Sequence, residues 1–137
     1  MKKYLILFAL ILIQSCSSGG GDSSPPAVTA PTSIAGETIR MTITSGAGFF
    51  ATTGTYTVSF SANQNIYTVT GDDVNVADSA GTYTYSANSN IGVVSIVDSV
   101  VGAGTFAMTF TTTTSGTFVA TVVSDPASNQ AGTFTRL

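Results

Sequence analysis

From Ile34 to the C-terminus apolar side chains recur at every second residue, and that period constrains what the chain can fold into more than any other feature. Ile39, Met41 and Ile43 alternate with Thr38, Arg40, Thr42 and Thr44. Tyr56, Val58 and Phe60 alternate with Thr55, Thr57 and Ser59, and Tyr67 and Val69 with Thr68 and Thr70. Tyr83 and Tyr85 alternate with Thr82 and Thr84, and Phe106, Met108 and Phe110 with Thr105, Ala107 and Thr109. Successive side chains of a strand point to opposite faces, so a period of two gives each strand one apolar and one wet face. β-branched Thr and Val favour the same backbone. Residues 91–97 and 117–123 are more continuously apolar, which predicts strands buried on both faces or central in the sheet. No window of helical period occurs after the first fifteen residues.

About eight strands are expected, at 37–45, 53–61, 65–70, 82–87, 91–98, 104–112, 116–123 and 131–136. The connections are short and rich in turn residues, such as Ala62-Asn63-Gln64 and Ala87-Asn88-Ser89-Asn90. Short links make consecutive strands antiparallel neighbours, which is a meander. Eight strands hide their edges best by pairing first with last. The expected fold is therefore all-β, a single antiparallel meander forming a small closed or partly open β-barrel.

Gly-Thr-aromatic recurs at Gly54, Gly81, Gly104, Gly116 and Gly132, at spacings too unequal for a repeat protein. It predicts a strand opening in which glycine takes a positive φ at the end of a turn and the aromatic begins the inward face. The inward set also includes Val94, Ile96, Phe118, Ala120, Val122 and Phe134, and nine of its nineteen members are aromatic. Eight strands enclose room for side chains or for one small ligand. Residues this bulky predict a packed interior.

In strand number and order such a barrel resembles the lipocalin-like, up-and-down type. The Gly-x-Trp that opens the first strand in that family is missing, since the chain has no tryptophan. The alternative is an Ig-like β-sandwich, because Asp78-Ser79-Ala80-Gly81-Thr82-Tyr83 resembles the tyrosine corner of those domains. The Asp-to-Tyr spacing is one residue longer than in that motif. The strands left after Tyr83 are also too many for a sandwich.

The first fifteen residues have a different composition. Lys2-Lys3 precedes the apolar run Tyr4 to Ile13, which is about half the roughly 20 residues a membrane-spanning helix needs. Ile13-Gln14-Ser15-Cys16 resembles the lipobox of bacterial lipoproteins, with Gln14 the less usual residue. That resemblance covers only the leader. It implies cleavage before Cys16, lipidation of its thiol and acylation of the new amine, and several acyl chains give stable anchoring. The expected organisation is a signal peptide at 1–15, a lipidated Gly/Ser/Pro-rich flexible tether at 16–33 and a β-domain at 34–137. The expected location is exported and lipid-anchored. Ser17 favours the outer membrane, since in enteric-type sorting Asp at that position retains lipoproteins in the inner one.

Residue chemistry excludes several activities. There is no histidine, the single cysteine is Cys16, and the lysines are Lys2 and Lys3. Ser-His-Asp, Cys-His and Schiff-base mechanisms thus have no residues in the domain, and neither do His- or Cys-ligated metals. No disulfide can form within the chain. After the leader the bases are Arg40 and Arg136, against Glu37 and six aspartates, so nucleic-acid binding is excluded. A two-carboxylate site is the remaining catalytic chemistry. Asp72, Asp73 and Asp98 read instead as solvated turn residues. Asp72, Asp73, Asn75 and Asp78 form a weak calcium candidate that lacks the EF-hand order and its glycine. The expectation is a protein that is not an enzyme and has no cofactor. Its expected partner is the membrane, through the lipid at Cys16. The β-domain is expected to have a structural or binding role at the cell envelope; the alternative is a lipocalin-like carrier of a small apolar ligand inside the barrel.

Overall fold

A computed structural model describes residues 26–48 and 51–137. The leader and Cys16 lie outside the described residues. Eight strands follow one another: β1 (Thr38–Gly46), β2 (Gly54–Phe60), β3 (Ile66–Gly71), β4 (Ser79–Asn88), β5 (Ile91–Asp98), β6 (Gly102–Phe110), β7 (Ser115–Val122) and β8 (Asn129–Arg136). Each pairs antiparallel with the next, and β1 pairs with β8, so the sheet closes into a barrel. That closure excludes the sandwich. Tyr83 does not form a tyrosine corner; its ring packs edge-on against Phe60 inside the barrel, with centroids 4.8 Å apart.

The seam between β1 and β8 runs from Ile39↔Arg136 to Gly46↔Gln130, with a register shift between Ile43 and Ser45. Such a bulge adds one residue to β1 and sharpens its bend, which closing a small barrel requires. One end of the seam is clamped by Arg136. Its guanidinium donates to both Glu37 carboxylate oxygens at 3.1 and 2.6 Å, and to the Thr113 carbonyl at 3.0 Å.

Closure also explains the two continuous apolar runs. They are not buried on both sides: Val97 is 61% exposed and Val119 53%. In a closed barrel every strand has two neighbours and one outer face, so no strand is covered twice.

The Gly-Thr-aromatic motif works differently from the expectation. Of its five glycines Gly54 has a positive φ, at 130°. The motif glycine points into the barrel, on the same face as the aromatic two residues later. Gly116 pairs with Phe134 and Gly132 with Phe118. A Cβ at Gly116 would collide with the Thr109 carbonyl oxygen and lie 2.9 Å from the Phe134 ring. At Gly132 it would strike the Thr42 carbonyl oxygen and lie 2.8 Å from Phe118. The missing side chain leaves each ring room against the neighbouring strand's backbone.

The two ends of the barrel differ. At one end the turns 61–65, 89–90 and 111–114 gather around the N-terminal stretch. Here Ile34 is fully buried, Ala30 is 8% exposed and Val28 packs on the core. The Ala30 N–H donates to the Ser89 carbonyl at 2.8 Å, and the Tyr85 hydroxyl donates to the Pro31 carbonyl at 2.9 Å. Packing therefore begins before Ile34, within the stretch expected to be a free tether. We call this the shut end. The opposite, open end carries the described parts of the β1–β2 connection, residues 47–48 and 51–53, and the connections around 72–78, 99–101 and 123–128.

Candidate functional site

The interior is not uniformly filled. A cavity of about 190 Å³ lies within the barrel, walled mainly by β1, β2, β3, β5 and β6, with Ser79 of β4 and Gln130 of β8 at its edge. Met41, Val58, Val69, Val94, Ile96 and Met108 supply much of its apolar surface, and Phe60 and Phe106 add rings. The connections at the open end border it through Ala51, Asn75, Val76, Ala77, Val100 and Val101. Asn75, Ala77 and Val100 are exposed, so the mouth lies at that end. The expectation of a packed interior holds for only one sector. There Phe110 and Phe134 meet edge-on with centroids 4.9 Å apart, and Phe118, Ala120 and Val122 are buried beside them. Across the cavity the facing residues are largely Val, Ile and Met, which are too short to meet in the middle.

Each strand delivers its lining residues by alternation. On β5 the inward positions are Gly92, Val94, Ile96 and then Asp98. The same alternation that buries two aliphatics thus carries a carboxylate into the cavity wall. Asp98 is 8% exposed, not the solvated turn residue expected. It accepts four hydrogen bonds. Oδ2 takes the Tyr67 hydroxyl at 2.6 Å and the Ser79 hydroxyl at 2.8 Å. Oδ1 takes the backbone N–H groups of Val100 at 2.7 Å and Val101 at 3.1 Å. A carboxylate has about four lone-pair sites, and all are used. Burial works against the charged form, but the donors, Tyr67 foremost, together outweigh it and hold the carboxyl below its ordinary range. The side chain is therefore an anion at neutral pH. No cation neutralises it among the described residues: Arg136 is forked onto Glu37, and Arg40 meets Asp72 at 3.4 Å.

A second polar pair sits on the same wall. The Tyr56 hydroxyl donates to Gln130 Oε1 at 2.9 Å, and Gln130 Nε2 donates to the Ala51 carbonyl at 3.2 Å. Burial pushes the phenols of Tyr56 and Tyr67 well above the usual tyrosine range, and Asp98 raises Tyr67 further, so both stay protonated. Sequence reasoning missed Gln130, which is 3% exposed. The signal was there: Gln130 stands two residues before Gly132 and four before Phe134, on the inward face of β8.

The residues of the weak calcium candidate are occupied with shaping the β3–β4 connection. Asp73 accepts the N–H groups of Asn75 and Thr55, both at 2.9 Å, and these bonds hold its carboxyl below the usual range. Asp78 accepts the Gly71 N–H at 2.9 Å, and Asp72 faces Arg40. Among the described residues no three His, Cys, Asp or Glu side chains gather as a metal site.

Asp98 is the one carboxylate among the described lining residues, so a two-carboxylate hydrolytic site has no second member there. A closed antiparallel barrel with an apolar cavity and a few self-paired polar groups has the makings of a binding site. Comparison with models of protein families, with curated proteins and with solved structures finds no match for the chain.

Proposed function

We propose that this protein is a lipocalin-like carrier that takes a small apolar ligand into its barrel, and that a lipid on Cys16 tethers it to the outer membrane. The supporting observation is the cavity. At about 190 Å³ it exceeds the roughly 150 Å³ of an engineered apolar cavity that holds benzene. It is smaller than the roughly 300–1,000 Å³ typical of drug-sized sites. Its occupant has the size of one ring with a short substituent.

Methionine methyl resonances test the carrier directly. The chain has three methionines, and Met41 and Met108 both line the cavity. Titrating 2-phenylethanol into the full chain labelled at methionine methyls should shift both signals saturably. Val69→Phe, which adds volume at a half-buried lining position, should abolish the shift. Unmoved methyls at millimolar probe would refute the carrier. The tether has its own test: Cys16→Ala should leave an uncut precursor that takes up no labelled palmitate, and normal trimming or lipid uptake would refute it.

A further inference from the structure

We propose that the cavity selects ligands by charge, accepting an apolar body that carries an ammonium group and rejecting carboxylates such as fatty acids. This rests on the carrier reading and adds the chemical class of the ligand.

The polar atoms of the wall have mostly spent their hydrogens. The hydroxyls of Tyr67 and Ser79 donate to Asp98, and that of Tyr56 donates to Gln130. What these hydroxyls still offer a ligand is oxygen lone pairs, and the donors on the wall are the amide groups of Gln130 and Asn75. Behind Tyr67 and Ser79 sits the charge of Asp98, buried and without a cationic partner among the described residues. None of the described lining residues is Lys or Arg, and the chain has no histidine. A bound carboxylate would bring further acceptors to a wall whose hydroxyls offer mainly lone pairs, beside a like charge in a low-dielectric site. An ammonium brings three N–H donors and the opposite charge, and alkylammonium groups keep their proton at neutral pH, as lysine does near about 10.4. The rings of Tyr56, Phe60, Tyr67 and Phe106 line the same cavity, and aromatic faces attract cations. The buried anion also acquires a use. Capping the β5–β6 turn needs an acceptor at position 98, but it does not require that acceptor to be aimed at an apolar hollow.

Three probes of closely similar size separate the possibilities: 2-phenylethylamine, 2-phenylethanol and phenylacetate, titrated at pH 7 into the full chain with the Met41 and Met108 methyls as the readout. The amine should bind at least tenfold tighter than the alcohol, and the alcohol at least tenfold tighter than the acid. In Asp98→Asn the amine's advantage over the alcohol should fall below threefold. Should that variant fail to fold, acidifying the wild type until the buried carboxyl of Asp98, held below the ordinary carboxylate range, takes up its proton should weaken the amine selectively. Phenylacetate binding tightest, or all three within threefold, overturns the charge selection and leaves the carrier standing. An amine preference that survives both Asp98→Asn and acid overturns the role of Asp98. If none of the probes moves either methyl, the carrier itself falls.

Discussion

Phe106 and Phe110 stand four residues apart on the same inward face of β6, yet they live in different surroundings. Phe110 is 1% exposed and meets Phe134 edge-on. Phe106 is half-buried, borders the cavity and reaches Phe118 only at a centroid distance of 6.2 Å. The difference lies in what stands nearby. In the packed sector the neighbouring strands offer Gly116 and Gly132, over which the rings of Phe134 and Phe118 lie. In the hollow sector Phe106 pairs with Val94 and Ala120, and Val58 and Val69 line the cavity with it. One inward aromatic therefore stabilises the barrel while the other shapes a site.

The contrast is sharpest at the phenylalanines of the packed sector. Phe110→Ala should cost about 3–5 kcal/mol, as truncation of a fully packed core ring does. Chemical denaturation would record it as a lower midpoint at an unchanged slope. Next comes Gly116→Ala, which should cost about 1–3 kcal/mol through overpacking against the Thr109 carbonyl and Phe134, although it adds one apolar carbon. A thermal melt equal to wild type would show that the rings do not depend on the glycines.

The hollow sector should respond to acid. Because the folded carboxyl of Asp98 ionises below its ordinary value, the unfolded chain binds more protons as pH falls below about 3.9. The stability Asp98 contributes is thus fully present above that pH and is lost as pH drops through the folded value. Tyr67→Phe removes one donor to the anion, worth about 1.5–3 kcal/mol for a hydrogen bond to a charged group. It should also narrow the acid-sensitive part of the stability curve, and an unchanged curve would place the acid response elsewhere. Phe106→Ala should cost less than Phe110→Ala, because the Phe106 ring is half-buried and has less surface to lose. Equal losses at Phe106 and Phe110 would erase the distinction between the sectors.

The strands and their closure were legible because alternation is a local signal and short turns leave one topology with no open edge. The inward faces of β1, β2 and β6 could be read residue by residue. Asp98 was legible in register, at the fourth step of Gly92, Val94 and Ile96, but as a charged strand-end residue it resembled a solvated turn. Gln130 was hidden because the strand was expected to start one residue later. The hollow could not be read at all. Whether inward residues meet depends on which positions face one another across the barrel, and strand tilt and the Ile43–Ser45 register shift decide that. The shut end was obscured by composition: the Ser, Gly and Pro up to Pro31 look like a linker, yet Ala30 and Ile34 have partners that appear only after folding.

Xenon pressure tests the two-sector interior most directly. It fills apolar hollows without needing polar partners, and a crystal of the protein held under xenon reports where it settles. The expected result is one xenon site between Val58, Val94 and Met108, with none among Phe110, Phe118 and Phe134. Xenon absent from the β1–β3 and β5–β6 wall, with side chains meeting across it, would contradict the hollow on which the carrier reading depends.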